Sequence, residues 1–362
     1  MKNFNHVYCV VMGGGSGTRF WPRSTEKKPK QFLTVFGNES LIKITMKRFE
    51  LFIKKENLYL VTKKNQREEL QRHPLPLPPE NIIFEPMGKN TLPCIGLSAL
   101  LIRKVDPEAL LIVAPADHII QNEQRLRETL MLAIRLAEEK QGLITIGIPP
   151  KYPATGYGYI QIENEICNER GIHAFQTKKF VEKPNAAIAK RYFKNPSYLW
   201  NSGIFVFTLP VFFNALKKYA PNVYYALMRI EEAIGTPNYE RVLHQVYAEL
   251  ESVSIDYGIM EKASEVYLVQ GDFVWNDLGN WEQVYQLSST DNDNNAQVGN
   301  VVWIDTKNSY VYSADGVVAV VGMSDVIVVQ EGGATLVCHR KDAEKVKQVI
   351  TRLKEQGLEK YQ

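Results

Sequence analysis

The sequence is poor in the residues that build disulfide frameworks and zinc sites. It has four cysteines, which lie far apart at Cys9, Cys94, Cys167 and Cys338 and include no CxxC pair. Neither a zinc knuckle nor a dense disulfide framework is therefore indicated, and we expect free thiols. The six histidines include no HExxH pair, so nothing supports a zinc hydrolase.

Long apolar runs and a strong net charge are also missing. No apolar run approaches the ~20 residues that a membrane-spanning helix needs, and the N-terminus has no signal-peptide core. The 43 basic and 40 acidic residues give a net charge of +3, which is too small to attract nucleic acid generally. We therefore expect a cytoplasmic protein without membrane or nucleic-acid partners.

The first half of the 362-residue chain alternates between short β-type apolar runs and helical patterns. The runs are Val7 to Met12, Leu58 to Thr62, Ile82 to Phe84, Leu110 to Ala114 and Leu143 to Gly147. Helical spacing occurs around Leu41 to Phe52, Thr91 to Lys104 and Gln124 to Lys140. This alternation predicts an α/β fold with a doubly wound, mostly parallel sheet covered by helices.

The C-terminal part has a different pattern. A polar tract at residues 288–297 predicts a linker between a catalytic domain at 1–287 and a smaller unit at 298–362. That unit is valine-rich and predicts a small β-helix-like domain, followed by a helix from about Asp342 to Gln356 that Gly357 caps. An apolar stripe on this helix predicts packing either on the catalytic domain or on another subunit. Its members are Ala343, Val346, Val349, Ile350 and Leu353.

The segment GGGSGTRFWP, Gly13 to Pro22, directly follows the first predicted strand. Its glycines are evenly spaced, which fits neither the P-loop nor the dinucleotide-binding pattern. Backbone without side chains can approach phosphate oxygens closely, and cations follow at Arg19 and Lys30. The glycines alone also suit a plain tight turn, but together with the cations they favour a polyphosphate site.

Two aspartates are candidate ligands of a hard cation. Asp117 follows a predicted strand in the sequence PADH, and Asp277 stands between two tryptophans in WNDLGNW. Mg²⁺ is typically held by one or two carboxylates together with phosphate oxygens. A helix N-cap occupies the same kind of position, so each aspartate alone is weak evidence.

Three further segments offer polar groups or glycine, and in one of them the pair Glu182 and Lys183 suits a phosphorylated sugar. FVEKP places Glu182 beside Lys183, WNSGIF offers the amide of Asn201, and GYGYI offers Gly158 where backbone must approach something closely. Lysine binds phosphate as a point charge, and glutamate accepts hydrogen bonds from sugar hydroxyls. Surface turns are the alternative interpretation of these segments.

Together and in this order, these motifs resemble the sugar nucleotidyltransferases, and within them the mannose-1-phosphate guanylyltransferases. The resemblance covers nearly all of the proposed catalytic domain. The matching segments are GGGSGTRFWP, PKQF, FEPMGKNTLP, PADH, TGYGYI, FVEKP, WNSGIF, SIDYGIMEK and WNDLGNW. It implies transfer of GMP from GTP to α-D-mannose 1-phosphate, by in-line attack without a covalent enzyme intermediate, with release of pyrophosphate.

The resemblance also implies the roles of individual residues. Arg19, Lys30 and Asp117 would be catalytic, and Asp117 and Asp277 would hold Mg²⁺. The nucleotide would be bound by Gly13, Gly14, Gly15, Gly17, Thr18, Glu85, Asn90 and Thr91. The sugar phosphate would be bound by Gly158, Glu182, Lys183 and Asn201. A homodimer is expected.

Two positions depart from the family pattern, namely Lys89 in place of arginine and Leu92 in place of alanine. Longer relatives carry an isomerase domain, and here we expect the short form without it. Two alternatives stay open. The same chemistry could act on another base or sugar phosphate, or the chain could be a non-catalytic subunit that senses nucleotide sugars.

Overall fold

The computed structural model describes residues 4–15 and 17–361 of the chain. Its strands are β1 (Val7–Met12), β2 (Leu58–Lys63), β3 (Ile82–Glu85), β4 (Leu110–Pro115), β5 (Ile119–Gln121), β6 (Leu143–Ile148), β7 (Tyr159–Glu169), β8 (Ile172–Val181), β9 (Tyr198–Thr208), β10 (Val266–Gln270), β11 (Val274–Asn276), β12 (Ala296–Ile304), β13 (Tyr310–Val321), β14 (Val326–Glu331) and β15 (Ala334–His339). All five strands expected in the first half are present.

The α-helices alternate with these strands through the first part of the chain. They are α1 (Leu41–Glu50), α2 (Arg67–Gln71), α3 (Thr91–Val105), α4 (Glu123–Lys140), α5 (Ala186–Phe193), α6 (Leu209–Tyr219), α7 (Pro221–Ala233), α8 (Tyr239–Glu249), α9 (Trp281–Leu287) and α10 (Lys347–Glu355). Short 3-10 turns at Thr18–Phe20 and Lys30–Phe32 follow β1, and Asp256–Met260 forms a π-helical turn.

The central sheet has nine strands in the order β3-β2-β1-β4-β9-β6-β10-β8-β7. The pairs β1–β2, β1–β4, β2–β3 and β6–β10 are parallel. Strands β8 and β9 run against their neighbours. The sheet is therefore mostly parallel, as expected, with two opposing strands that the sequence alternation did not predict.

Apolar cores cover both faces of this sheet. One contains Val11, Leu60 and Ile112 packed against α1 and α4, and the other contains Val10 and Leu111 packed against α3, α6 and α7. Burial on both faces explains why these strands read as unbroken apolar runs rather than as an alternation. Parallel β1, β3 and β4 all end at the same edge of the sheet.

The C-terminal part forms a four-stranded sheet in the order β12-β13-β14-β15, in which only the last pair is antiparallel. The strand β12 begins at Ala296, inside the segment expected to be the linker. This sheet shares a core with the catalytic part, and this core contains Trp21 and Trp281 together with Ala343, Val346 and Leu353 of the terminal helical segment. The apolar stripe thus packs on its own chain.

The terminal helical segment begins as a 3-10 helix at Arg340–Val346 and continues as α10. Gly357, with φ of +68°, ends it as expected. The amides of Gly357 and Leu358 bond the carbonyls of Lys354 and Leu353, which is a Schellman cap. In the part of the chain that the structure describes, no helix combines the length and apolar character needed to span a membrane.

Candidate active site

The glycine-rich loop is held firmly where it leaves β1. The amide of Gly13 donates to the carbonyl of Val61 in β2 at 2.8 Å. The carbonyl of Gly13 accepts hydrogen bonds from the side chains of Gln31 and Thr62. Since both backbone groups of Gly13 are used inside the fold, this residue anchors the loop and leaves ligand contacts to the glycines after it.

The far end of the loop is fixed by conformation. Gly17 has φ of +62°, and a Cβ at this position would collide with the backbone and Cβ of Lys30. Only glycine meets both conditions without strain. Gly14 and Gly15, between these fixed ends, line a cavity, whereas Ser16 lies outside the described residues. Gly13 and Gly17 therefore hold the described part of the loop in place at its two ends.

Lys30 joins three segments of the site. Its buried ammonium group forms an ion pair with Asp117 at 2.8 Å and donates to the carbonyls of Asp277 and Leu278 at 2.6 and 2.9 Å. An ammonium group has three donors, and these three partners use them all. In this structure Lys30 therefore positions the two aspartate-bearing segments.

The pairing of two short strands brings the two aspartates together. Asp117 lies between β4 and β5, and Asp277 directly follows β11. Strands β5 and β11 are antiparallel, with Ile120 opposite Trp275. Asp117 and Asp277 consequently line one cavity. Among the described residues no group of three or more histidine, cysteine, aspartate or glutamate side chains is placed to hold a metal ion.

Charge and burial set the protonation of this region. Burial by itself raises the pKa of Asp117, but the charge of Lys30 and its hydrogen bond to the carboxylate outweigh burial and hold that pKa below its usual value. Asp117 is therefore ionised at neutral pH, as a metal ligand must be. Burial lowers the pKa of His118, whose Nδ1 accepts the indole N–H of Trp275 at 3.2 Å. His118 is thus a neutral supporting ring.

Tyr157 orients the second aspartate. Its hydroxyl donates to Oδ1 of Asp277 at 2.8 Å and accepts from Nε2 of Gln283 at 2.6 Å. Its ring packs edge-on against Trp200 and Trp275, with centroids 5.0 and 5.1 Å apart. Burial, followed by the charge of Asp277, raises the pKa of Tyr157, which keeps this hydroxyl protonated and able to donate.

A cavity of about 390 Å³ collects the cations and carboxylates. Its polar and charged lining comprises Gly17, Thr18, Arg19, Lys30, Asp117, His118, Asp277, Gly279 and Lys347. Arg19 forms an ion pair with Glu344 at 3.0 Å, across to the C-terminal segment. This combination of backbone, cations and paired carboxylates can bind a polyphosphate with a divalent cation.

A second cavity, of about 240 Å³, adjoins the first at Asp117, which lines both. Gly14, Gly15, Glu85, Asn90 and Thr91 are among its other lining residues. Glu85 is only 2% exposed, and its Oε1 has no hydrogen-bond partner among the described residues. Burial raises the pKa of Glu85 to about 7, against smaller lowering effects of Tyr247 and Cys94.

Asn90 and Thr91 are held at the start of α3. Asn90 has φ of +71°, and its side chain accepts the amide N–H of Thr91 at 2.9 Å. The hydroxyl of Thr91 accepts the amide N–H of Ile255 at 2.9 Å. The Thr91 side chain therefore serves to position the loop, and its cavity-lining surface is what remains for a ligand.

The two departures from the family pattern have local explanations. Lys89 donates to the carbonyls of Ala248 and Leu250 at the end of α8, at 3.2 and 2.5 Å. Leu92 is fully buried beside Gly258, where a Cβ would collide with its side chain. Both residues therefore brace the loop from outside the cavity.

A third group of predicted residues meets where three strands come together. Tyr159 in β7 lies opposite Val181 in β8 and opposite Trp200 in β9. The adjacent residues Gly158, Glu182 and Asn201 are therefore neighbours. The backbone N–H of Asn201 donates to the carbonyl of Gly158 at 2.8 Å. A Cβ on Gly158 would collide with the Glu182 carboxylate.

This group carries concentrated charge. Lys183 pairs with Glu182, and Asn201 donates to Oδ1 of Asp256 at 2.9 Å. Burial lowers the pKa of Lys183, but the two carboxylates outweigh it and raise that pKa overall. Burial and then the charge of Glu182 raise the pKa of Asp256 to about 6. Fixed carboxylates and an amide beside a lysine suit a ligand with several hydroxyls and a phosphate.

Comparison with known proteins agrees with this geometry. The family model "Nucleotidyl transferase" matches residues 8–294, and the model "MannoseP isomerase/GMP-like beta-helix domain" matches residues 299–353. The mannose-1-phosphate guanylyltransferase of Escherichia coli (strain K12) is 36% identical over 362 residues, which cover 98% of this chain and 75% of that protein. The chain belongs to the mannose-1-phosphate guanylyltransferase family.

Other members of the comparison extend this result. Xanthan biosynthesis protein XanB of Xanthomonas campestris pv. campestris (strain B100) is 35% identical, over 97% of this chain and 74% of its own length. A crystal structure named mannose-1-phosphate geranyltransferase, from Thermus thermophilus, matches with a TM-score of 0.86 and 32% identity over 96% of this chain and 99% of that one. The predicted guanylyltransferase family, its α/β fold with a β-helix-like domain, and its enzymatic nature are confirmed.

Two residues of this guanylyltransferase site were not assigned a role from the sequence. Asp256 lies in the segment SIDYGIMEK and Tyr157 in TGYGYI, so both belong to recognised motifs. Motif membership was the available signal, but their roles depend on contacts with Asn201 and Asp277. WNSGIF, for which a turn was the alternative, lies inside β9, where the backbone N–H of Asn201 bonds the carbonyl of Gly158.

Proposed function

We propose that this protein transfers GMP from GTP to α-D-mannose 1-phosphate, forming GDP-mannose and pyrophosphate with the help of Mg²⁺. The observation that carries the proposal is that Asp117 lines both adjoining cavities. One cavity offers glycine backbone and Glu85 to a nucleoside, and the other offers cations and two carboxylates to its phosphates. Asp117 thus stands where an α-phosphate would join the two.

The reaction follows from positioning and charge. A phosphate oxygen of mannose 1-phosphate attacks the α-phosphorus of GTP, and the bond from that phosphorus to the bridging oxygen of the β-phosphate breaks. The electron pair leaves with pyrophosphate. Such transfers need in-line alignment and charge stabilisation rather than a protein nucleophile. Arg19 would bind the departing phosphates, while Lys30 would keep Asp117 and the Asp277 segment in place.

The donor set fits Mg²⁺. Asp117 is ionised, and Asp117 and Asp277 line the same cavity, so two carboxylates and the phosphate oxygens of the substrates could hold the cation together. When bound, the cation would neutralise charge on the phosphates and link the two substrates. The choice of Mg²⁺ over other divalent cations is part of the proposal.

Glu85 provides the argument for guanine. The Watson–Crick edge of guanine presents two neighbouring N–H donors, whereas adenine presents an acceptor beside a donor. A buried carboxylate with an unpartnered oxygen can accept hydrogen bonds from both guanine donors. With adenine, one carboxylate oxygen would face the ring-nitrogen acceptor, and no hydrogen bond could form there. Buried polar groups that a wrong base leaves unpaired produce strong discrimination.

The sugar-phosphate role of Gly158, Glu182, Lys183 and Asn201 completes the proposal. Tyr157 links this group to the metal region because it precedes Gly158 and donates to Asp277. Lys183 would bind the sugar phosphate, and the carboxylates and Asn201 would bind mannose hydroxyls.

The assembly and location of the protein also remain proposals. The domain division at residues 288–297 and a cytoplasmic homodimer are retained from the sequence and the family resemblance. The terminal helix no longer supports the dimer, because its apolar stripe packs on its own chain. Light scattering coupled to size-exclusion chromatography measures the assembly directly.

A matrix of substrates tests the proposed function. Pyrophosphate release is measured with GTP, ATP, UTP and dTTP, each combined with mannose 1-phosphate or glucose 1-phosphate, in the presence of Mg²⁺. We expect turnover to be highest with GTP and mannose 1-phosphate. Preference for another pair would support the alternative nucleotidyltransferase, and tight binding of GDP-mannose without any turnover would support a sensing subunit.

A further inference from the structure

The C-terminal segment reaches the phosphate cavity. Lys347, the first residue of α10, lines this cavity together with Arg19, Lys30 and Asp117, which all come from the catalytic part. Building on the proposed function, we propose that Lys347 binds the β- and γ-phosphates of the nucleoside triphosphate and the pyrophosphate that leaves. The C-terminal domain would then supply part of the active site.

Contacts of the residues next to Lys347 in the chain set its position beside the cavity. Its neighbour Val346 lies in the core that also contains Phe20, and α10 packs on the turn Thr18–Phe20. Asn280 donates to Glu344 at 2.6 Å. The backbone at Lys347 is therefore fixed relative to the glycine-rich loop.

A second set of contacts ties the same segment to α9. Arg340 forms two hydrogen bonds with the carboxylate of Glu282, at 2.7 and 2.8 Å, and its guanidinium lies 3.8 Å from the ring centre of Tyr285. A bidentate pair of this kind fixes direction as well as distance. Because α9 directly follows the loop that carries Asp277, the cavity and the terminal helix are held as one unit.

The cationic side chains of the cavity differ in whether other protein groups already use their hydrogen-bond donors. Lys30 uses its donors on Asp117 and two carbonyls, and Arg19 pairs with Glu344. Lys347 is exposed and forms no ion pair or side-chain hydrogen bond among the described residues. It is thus a cation with uncommitted donors that lines an anion-binding cavity, and binding a phosphate would break no existing contact of its own.

The order of the cavities indicates which phosphates Lys347 meets. Asp117 lines the nucleoside cavity as well as the phosphate cavity, whereas Arg19 and Lys347 line only the phosphate cavity. A triphosphate that extends from the base past Asp117 brings its last two phosphates toward Arg19 and Lys347. The same two phosphates become the leaving pyrophosphate.

The test compares Lys347→Ala with Lys345→Ala in the full-length protein. Lys345 lies on the same segment and pairs with Asp342 at 2.7 Å, but it does not line the cavity. Calorimetric titration with inorganic pyrophosphate, in the presence of Mg²⁺, measures binding without requiring turnover. For Lys347→Ala we expect affinity for pyrophosphate to fall by about 3- to 10-fold, the range for an exposed charged contact.

Kinetics provide the second measurement. For Lys347→Ala we expect KM for GTP to rise about 3- to 10-fold, and KM for pyrophosphate to rise similarly in the reverse reaction. KM for mannose 1-phosphate should stay unchanged, and Lys347→Arg should restore most of the loss. Thermal unfolding of each variant identifies any general loss of folding.

The outcomes separate this inference from the proposed function. If wild type turns over GTP and mannose 1-phosphate but the Lys347→Ala and Lys345→Ala variants bind pyrophosphate equally well, the role of Lys347 is refuted. If wild type shows no such turnover while Lys347→Ala still weakens pyrophosphate binding, the proposed function fails and the phosphate contact stands.

Discussion

Replacing Glu85 with glutamine tests the nucleoside cavity most directly. Glu85 is 2% exposed, one of its oxygens has no partner among the described residues, and burial raises its pKa to about 7. These properties make two opposite predictions for the same variant. Glu85→Gln should fold more stably than wild type at alkaline pH, yet it should use GTP poorly.

The stability gain follows from the pKa. A carboxyl whose pKa rises from 4.5 to about 7 on folding binds its proton more tightly in the folded state, so ionisation opposes folding. This cost is absent below pH 4.5 and grows through pH 7, where it reaches roughly 3 kcal/mol. Glutamine removes it, so the free energy of unfolding of Glu85→Gln should exceed that of wild type by up to about this amount at pH 8.

The expected loss of activity follows from the hydrogen bonds between guanine and the side chain at position 85. A carboxylate accepts from both N–H groups of guanine, whereas the glutamine amide turns a donor toward one of them. Because a hydrogen bond to a charged group contributes about 1.5–3 kcal/mol, kcat/KM for GTP should fall about 10- to 100-fold. ITP lacks the 2-amino group, so the preference of wild type for GTP over ITP should shrink in the variant.

Two assays and one control complete this experiment. Thermal or urea unfolding is measured at pH 5 and pH 8, and pyrophosphate release is measured with GTP and ITP. Glu80→Gln, at an exposed position before the same strand, should change neither property. A role of Glu85 in recognising guanine is refuted if Glu85→Gln keeps the GTP-to-ITP preference of wild type. A raised pKa of Glu85 is refuted if the stability advantage of the variant does not grow with pH.

Three further variants test the metal and sugar regions. Asp117→Asn should lower kcat at least about 100-fold without loss of folding, because it removes a charged ligand from the cavity; near-normal rates in a Mg²⁺ titration would remove the metal assignment. Tyr157→Phe should raise the Mg²⁺ concentration for half-maximal rate by about 10-fold, since Asp277 loses its 2.8 Å hydroxyl partner; an unchanged Mg²⁺ dependence would contradict this. Gly158→Ala should raise KM for mannose 1-phosphate about 10-fold but not KM for GTP, because its Cβ meets the Glu182 carboxylate; equal rises in both would point to general disorder.

Much of the nucleotide side of the site could be predicted from the sequence. The glycine-rich loop and the PADH segment each follow an apolar run, and parallel strands β1 and β4 are direct neighbours with Val11 beside Ala114. Ligands bind beyond the carboxyl ends of such strands, so the order of strand and motif already predicted their meeting. Strands β8 and β9 lie after the last of the predicted apolar runs, so the alternation in the first half of the chain carried no information about their direction.

The metal and sugar sides depended on long-range pairing. No local pattern relates Asp117 to Asp277; the antiparallel contact of Asn276 with Ile119 does so. Asp256 lies 55 residues after Asn201 in the chain, and the fold brings the two side chains to 2.9 Å. Such contacts join segments far apart in the chain, and residue spacing holds no information about them.

By itself, the sequence determined the alternation of strands and helices, the family, and the side chains available for phosphate, cation and sugar, because periodicity and motifs are local properties. The tertiary structure decided which surfaces meet. The terminal stripe was visible as an apolar face, but its packing on the core around Trp21 and Trp281 was not. That packing brings Lys347 to the phosphate cavity. An apolar helix face in the sequence predicts that the face is buried, but it does not say against which surface, because the hydrophobic effect is non-directional.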